Sequence, residues 1–210
     1  MTKSGQIIVL NGAPRSGKSS IAAVIQETFD GVWINLGVDS QNASLPHQYR
    51  PGIGLRPGGE RPDLEPLVQS LYAALYRTIA VYSRLGFNVV VDLGHHDAYS
   101  QPLKILADCA ALLVGLPVFF VGVRCPVDVI MLRRLAGQVG REEQYVTGSV
   151  KEPVPVPVLL WQREVHVPGI YDLEVDTSIV SAAACAGMIR PAVETGNGSP
   201  TAFERLVGNN

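Results

Sequence analysis

The chain has 210 residues, a formal net charge of -2, 47% apolar residues and 17% charged residues. This length allows one well-buried core and is short for two independent domains, and the composition argues against extensive disorder. The small net charge argues against a protein that binds nucleic acid or an anionic membrane through general electrostatic attraction.

The cysteines and the apolar runs indicate the cellular compartment of the protein. Cys109, Cys125 and Cys185 are far apart and form no CxxC pair, so neither a zinc site nor a disulfide framework is predicted. The N-terminal apolar run, residues 7–10, is too short for a signal peptide, and no stretch reaches the roughly 18 apolar residues of a membrane span. We therefore expect a cytoplasmic protein with no membrane or nucleic-acid partner.

Short apolar runs alternate with segments of helical periodicity along the chain. Apolar runs without polar alternation are typical of strands buried in a parallel sheet. Strands are predicted at residues 6–10, 32–36, 88–92, 117–123 and 173–175, and helices at 19–29, 67–85, 101–113, 126–135, 159–166 and 181–194. This alternation predicts right-handed βαβ units, and hence an α/β fold whose parallel sheet has helices on both faces.

Two irregular segments interrupt the pattern. Residues 41–66 are rich in Gly, Pro and Arg, and a loop of this length within a compact domain usually has a function. Residues 137–158 end in a Pro-Val alternation that favours extended backbone. The polar, Gly-rich end of the chain predicts a flexible tail at 197–210, after a single domain at 1–196.

The strongest motif is Gly12-Ala-Pro-Arg-Ser-Gly17-Lys18-Ser19, which fits GxxxxGK[ST] between a predicted strand and a predicted helix. A chance Gly-rich turn is the alternative, but the full match in this context favours a phosphate-binding loop. The loop amides would form an anion cradle, assisted by the helix N-terminus. Lys18 is expected to bridge the β- and γ-phosphates of ATP, and Ser19 to ligate Mg²⁺. The predicted nucleotide-binding residues of this loop are Gly12, Ala13, Pro14, Arg15, Ser16, Gly17, Lys18, Ser19 and Ser20.

Two aspartates follow predicted strands, at the sheet edge where ligands bind in parallel α/β folds. Asp92 ends the run of valines at 89–91, and beside a phosphate-binding loop it is expected to hold Mg²⁺ with Ser19, although such an acid can also cap a helix. Asp39 could orient an acceptor hydroxyl and accept its proton, or it could cap a short helix beginning at Ser40. Spacing alone leaves both interpretations of Asp39 open.

Several arginines and a histidine pair lie near the predicted site. Arg133, Arg134 and Arg141 border the second irregular segment, where a closing loop could bring them over the transferring phosphoryl group. Arg133 and Arg134 could equally be solvated helix residues. His95 and His96 are adjacent in a loop and lack a third ligand, so we expect them to line the acceptor pocket rather than bind metal.

Taken together, these residues resemble the chloramphenicol phosphotransferase-like family of small P-loop kinases. The resemblance is carried by Ile-Ile-Val-Leu-Asn11-Gly12, Gly37-Val38-Asp39-Ser40, Val91-Asp92, Val121-Gly-Val-Arg124-Cys125-Pro126, and Val165-His166 followed by Tyr171-Asp-Leu-Glu-Val-Asp176-Thr177-Ser178. It covers about residues 6–190. It implies a three-layer, nucleotide-kinase-like P-loop fold with a five-stranded parallel sheet, and ATP and Mg²⁺ as cofactors.

The resemblance also assigns roles to individual residues. It implies that Asp39 is the catalytic base and that Asp176 and Thr177 lie near the adenine. Arg133 is assigned with them to nucleotide binding, whereas Arg134 and Arg141 are candidate catalytic residues in a lid at about 133–158. The family's Arg-Gly-Asp-Arg run is replaced here by Leu135-Ala-Gly-Gln-Val-Gly-Arg141, and a Pro- and Val-rich insertion at 142–158 follows.

The predicted function is an ATP-dependent O-phosphotransferase. The expected partner is a small hydroxylated molecule, bound by the segment at about 40–66, and by resemblance an antibiotic-like natural product is favoured. A kinase of a nucleoside, sugar or nucleotide is one alternative, and a non-catalytic ATP-binding regulatory protein is another. No Asn-Lys-x-Asp motif follows the fourth strand, which disfavours a GTPase.

Overall fold

The computed structural model describes residues 3–136, 148–149, 151–196 and 198–208. Five parallel strands form one sheet in the order β2-β3-β1-β4-β5. The strands are β1 (Ile7–Asn11), β2 (Trp33–Gly37), β3 (Asn88–Leu93), β4 (Val118–Arg124) and β5 (Leu173–Asp176). The helices in the described ranges are α1 (Lys18–Thr28), α2 (Val38–Ala43), α3 (Glu65–Arg84), α4 (Ile105–Leu112), α5 (Val127–Leu135), α6 (Val156–Glu164), α7 (Ala182–Thr195) and α8 (Ala202–Gly208).

Successive residues of the central strand supply both faces of the core. Ile7 and Val9 belong to a cluster that includes buried residues of α3, α4 and α8, whereas Ile8 and Leu10 belong to a second cluster with α1 and α7. Because both faces of β1 are covered, all five of its residues are buried, and its apolar run shows no polar alternation. The predicted five-stranded parallel α/β fold is confirmed. Within the described ranges no helix has the length and apolarity needed to cross a bilayer.

A third apolar cluster joins the two helices that flank the second irregular segment. It contains Ile130 and Met131 of α5, Val158 and Trp161 of α6, and Ala13 of the loop after β1. Helix α6 begins at Val156, three residues earlier than predicted, with a proline in its first turn where the missing N–H costs nothing. Both helices therefore lie beside the phosphate-binding loop.

The segment at 41–66 has more regular structure than was predicted. It contains the end of α2 and three short 3₁₀ turns at His47–Tyr49, Gly52–Leu55 and Pro62–Leu64. By contrast, the helix predicted to begin at residue 101 begins only at Ile105. The Asp97 carboxylate accepts hydrogen bonds of 2.8 Å from the two N–H groups at Leu103 and Lys104, and this holds the preceding residues in a turn.

The end of the chain differs from the predicted flexible tail. The Phe203 ring of helix α8 is 2% exposed. It packs edge-on against Phe120, at 5.0 Å between ring centroids, and lies nearly parallel to Tyr76 at 6.3 Å. The Asp172 carboxylate accepts a 2.6 Å hydrogen bond from the Ala202 N–H and so ties the start of α8 to the sheet. Residues 202–208 are part of the core because their apolar side chains cover the sheet face beside α4.

Candidate active site

The loop between β1 and α1 has the shape of a phosphate cradle. Arg15 and Gly17 have φ angles of 72° and 99°, which turn the backbone sharply before α1 begins. A Cβ atom at Gly12 would lie 2.5 Å from the Val123 carbonyl oxygen, so glycine is required where the loop leaves the sheet. The buried Ser16 hydroxyl has no hydrogen-bond partner among the described residues. An unpaired buried hydroxyl beside the N-terminus of α1 fits a bound phosphate group.

Lys18, Ser19 and Asp92 meet at the mouth of this loop. Lys18 Nζ donates to the carbonyl oxygens of Gly12 at 2.8 Å and Ala13 at 3.0 Å, and it lies 3.5 Å from Asp92 Oδ1. Ser19 Oγ donates to Asp92 Oδ2 at 2.5 Å. An adjacent hydroxyl and carboxylate are the oxygen ligands that Mg²⁺ accepts, so these residues fit the predicted metal.

Arg133 and Thr177 form hydrogen bonds with each other and with the backbone of the phosphate-binding loop. The Arg133 guanidinium donates to Thr177 Oγ1 at 2.9 Å, to the Thr177 carbonyl at 2.7 Å and to the Arg15 carbonyl at 3.3 Å. Thr177 Oγ1 donates to the Ser16 carbonyl at 2.6 Å. Hydrogen bonds from a neighbouring serine lower the pKa of the Asp176 carboxyl. The residues predicted to lie near the adenine are thus brought together against the phosphate-binding loop.

One cavity of about 400 Å³ connects this loop to the acid that follows β2. Lys18 and Asp92 line one part of it, and Asp39 lines another. Helix α2 begins one residue before Asp39, so this residue lies in the first helical turn and does not cap the helix. Arg134 of α5 is 8% exposed and lines the same cavity, whereas Arg141 lies outside the described residues.

The remainder of the cavity wall comes from three separate segments. Leu55 and Arg56 line it from the segment predicted to bind the acceptor. Tyr72 of α3, together with Val158 and Trp161 of α6, adds apolar and aromatic surface. Tyr72 also belongs to the apolar core cluster that contains Ile7 and Val9. No sequence pattern predicted that Trp161 would line the cavity, because its partners across the cavity are distant in the chain.

Comparisons with known proteins agree with this arrangement. The sequence profile of the chloramphenicol phosphotransferase-like protein family matches residues 5–194. The chain belongs to this family. It is 26% identical over 218 aligned positions, covering 96% of this chain and 88% of the other, to a Mycobacterium tuberculosis (strain H37Rv) protein provisionally named an O-phosphotransferase. This membership makes it a phosphotransferase that acts on a hydroxyl group.

Solved structures of kinases share its fold. A provisionally assigned kinase from Chloroflexus aurantiacus superposes with a TM-score of 0.61 at 15% identity, over 94% of this chain and 100% of the other. The APS kinase CysC of Mycobacterium tuberculosis, solved with AMPPNP and APS, superposes with a TM-score of 0.57 at 18% identity, over 91% of this chain and 98% of the other. At these identities the likeness extends to the fold and no further.

In this family member a buried asparagine joins the phosphate-binding loop to its surroundings. Asn11, which is 1% exposed, ends β1 immediately before the loop. Its Oδ1 accepts from the His95 N–H at 2.6 Å, and its Nδ2 donates to the Val165 carbonyl at 2.8 Å and to the Tyr171 hydroxyl at 2.9 Å. The Tyr171 hydroxyl also bonds His166 Nδ1 at 2.8 Å. The available sequence signal was an amide in an otherwise apolar strand, where asparagine is disfavoured.

The histidine pair lies behind the cavity wall and does not line it, contrary to expectation. His95 is hydrogen-bonded through Nε2 to the Tyr76 hydroxyl at 2.8 Å, and burial lowers its pKa to about 3. His96 Nε2 bonds the Leu55 carbonyl at 3.1 Å, and its ring packs edge-on against Trp161 at 5.2 Å. Burial also lowers the pKa of His96. Among the described residues no group of three or more His, Cys, Asp or Glu side chains is arranged to hold a metal ion.

Proposed function

We propose that this protein transfers the γ-phosphate of ATP to a hydroxyl of a small molecule, and that an antibiotic-like natural product is the favoured acceptor class. The observation that supports this function is that Lys18, Asp92 and Asp39 line one cavity. A phosphate donor and a carboxylate that can receive a proton are therefore accessible from the same space. A protein that only bound ATP would not need the second group.

In the proposed reaction the loop amides, Lys18 and Ser16 bind the phosphates of ATP. The adenine would lie near Asp176 and Thr177, as the family resemblance implies, and Arg133 would also bind the nucleotide. The acceptor oxygen forms a bond to the γ-phosphorus, the bond from that phosphorus to the bridging oxygen breaks, and ADP leaves with its electron pair. Asp39 orients the hydroxyl and accepts its proton, which keeps the reaction balanced.

The charges around the reacting phosphorus come from two further groups of residues. Arg134 lies within the cavity wall, where a guanidinium can stabilise the equatorial oxygens of the transferring group. Arg141 is proposed to act with it from the lid. Ser19 and Asp92 would hold Mg²⁺, which neutralises phosphate charge when it is bound.

The first test is a screen for transfer. Purified protein is incubated with ATP, Mg²⁺ and panels of hydroxylated antibiotics, nucleosides and sugars, and mass spectrometry detects an added phosphate. Phosphorylation of an antibiotic-like alcohol supports the proposed acceptor class, whereas transfer only to nucleosides or sugars identifies the metabolite-kinase alternative. ATP binding without transfer to any compound indicates the regulatory alternative.

The second test isolates the proposed base. Asp39→Asn should reduce kcat by at least about a hundredfold, the usual scale for the loss of a general base, and should leave the Kd for ATP nearly unchanged. Asp30→Asn is the matched control, because Asp30 is exposed in the turn before β2 and does not line the cavity. If transfer by Asp39→Asn equals that of the control variant, Asp39 is not the base.

A further inference from the structure

Arg56 is set apart from the other cations of the cavity. Within the described ranges four cationic side chains line it: Arg15, Lys18, Arg56 and Arg134. Lys18 is paired with Asp92 and with loop carbonyls, and Arg15 donates to the Arg133 carbonyl. The structure gives Arg56 no side-chain hydrogen bond or ion pair with any described residue. Its guanidinium donors are therefore available to a molecule in the cavity.

Arg56 comes from a different part of the chain than the phosphate-binding elements that line the cavity. Arg15 and Lys18 come from the loop and helix that follow β1, and Arg134 comes from α5. Arg56 instead follows the 3₁₀ turn Gly52–Leu55 and lines the cavity beside Leu55, in the segment between α2 and α3. Its position indicates a group that contacts the acceptor.

The backbone on both sides of Arg56 is anchored. The carbonyl of Leu55 is held by His96 Nε2 at 3.1 Å, and the N–H of Gly58 donates to the Ala98 carbonyl at 2.7 Å. At Gly59 a Cβ atom would lie 2.5 Å from the Ser100 nitrogen, so this stretch packs closely on the loop after β3. Because the backbone is already fixed, ligand binding by this guanidinium does not require the loop to be ordered.

We propose that Arg56 binds an oxyanion of the acceptor, either a carboxylate or a phosphomonoester, and that the accepted alcohols therefore carry a negative charge beside an aromatic or apolar body. The planar guanidinium binds such groups through two parallel hydrogen bonds, which a neutral ester cannot match. Tyr72 and Trp161 provide the surface for the apolar body. This inference rests on the proposed function, because it concerns the acceptor of that reaction.

The test is a matched series of probes that share a phenyl ring and a hydroxyl group. Mandelate and 2-hydroxy-2-phenylethyl phosphate are anionic, methyl mandelate is neutral, and phenylglycinol is cationic. Binding is measured with AMPPNP present by the fluorescence of Trp161, or by calorimetry, and transfer is measured separately. Wild-type protein should bind at least one anionic probe about tenfold to a hundredfold more tightly than methyl mandelate, and the two anionic probes identify which oxyanion is preferred.

Substitutions at Arg56 should then change charge selectivity alone. Arg56→Gln should remove the preference for the anionic probe and leave the binding of methyl mandelate and ATP unchanged. Arg56→Lys should retain part of the preference, and Arg56→Glu should favour phenylglycinol. Arg61→Gln is the control, because Arg61 lies in the same segment but does not line the cavity and is paired with Asp63 at 2.6 Å.

The outcomes of this experiment test the anion site and the proposed function independently. Equal binding of anionic and neutral probes by the wild type, or a weaker affinity for ATP in Arg56→Gln, overturns the inference even if transfer occurs. Charge-selective binding that depends on Arg56, without transfer to any compound, supports the anion site and overturns the proposed function.

Discussion

We predict that the hydrogen bonds of the Asn11 side chain hold the phosphate-binding loop and helix α6 together. Replacing it with leucine keeps the approximate side-chain volume and removes every hydrogen bond of the amide. The His95 N–H then loses its bond of 2.6 Å, and the Val165 carbonyl loses its bond of 2.8 Å and keeps only a 3.5 Å contact with the Tyr171 hydroxyl. One buried N–H left unpaired, at about 1–3 kcal/mol, and one lost bond at a carbonyl that keeps a weak donor, at about 1 kcal/mol, predict a loss of about 2–4 kcal/mol in the free energy of unfolding.

Urea unfolding measures this loss, and the chain contains a suitable optical probe. The two tryptophans are Trp33 on β2 and Trp161 on α6, so far-UV circular dichroism reports the whole fold while fluorescence includes a signal beside the affected helix. Since α6 also lines the cavity, Asn11→Leu should weaken acceptor binding as well as stability.

A second asparagine on the neighbouring strand provides the control. Asn88 begins β3, and its Oδ1 accepts one hydrogen bond, from the Gln6 N–H at 2.9 Å. Asn88→Ala should cost about 1 kcal/mol, the usual net value of one hydrogen bond. If Asn11→Leu loses no more stability than Asn88→Ala, the buried network does not hold the loop and α6 together, and our reasoning about Asn11 is wrong.

Two further predictions concern stability. Phe203→Ala should lower the free energy of unfolding by about 3–5 kcal/mol, and the melting temperature by roughly 10 °C, because the ring is buried against two other aromatic rings. The same change at Phe87, which is 40% exposed, should cost far less, and similar losses in a thermal scan would contradict the packing of α8. Burial lowers the pKa of His95 from 6.5 to about 3, so below pH 6.5 the unfolded chain takes up a proton that the folded protein does not. His95 should therefore reduce stability by about 2 kcal/mol between pH 7 and pH 5, and urea unfolding of His95→Gln should lose this part of the pH dependence.

The sheet and the phosphate-binding loop could be predicted because their determinants are local. A strand buried on both faces appears as an unbroken apolar run, and β1 and β3 end within a residue or two of the predicted positions. The loop has glycine at Gly12 and Gly17, where its backbone favours glycine, although Arg15 also has a positive φ angle. Helix α8 could not be predicted, because its few apolar residues are stabilised by the sheet face and by the distant Asp172 carboxylate.

The candidate site also contains some residues that could be predicted from the sequence and others that could not. Asp92 lies at the end of β3, Asp39 lies two residues after β2, and Lys18 and Ser19 begin α1 after the loop that follows β1. The sequence could therefore place all four at one edge of the sheet. Trp161 faces the cavity only because α6 packs on the loop after β1, which is a contact between residues far apart in the chain. No periodicity within α6 identifies that partner.

The part of the cavity wall that contains Arg56, where we propose that the acceptor binds, depends most on contacts between residues far apart in the chain. The backbone beside Arg56 is held by the loop that follows β3, through the Leu55 carbonyl, the Gly58 N–H and the close approach at Gly59. A change in either segment can therefore alter the acceptor wall while the phosphate-binding loop, which is anchored to β1 and Thr177, stays in place. A local motif thus forms the phosphate-binding loop. The acceptor wall, by contrast, depends on how the segment that contains Arg56 packs against the loop after β3. For this reason the motif indicates phosphate binding from the sequence, whereas the acceptor must be inferred from the side chains that the fold brings into the cavity.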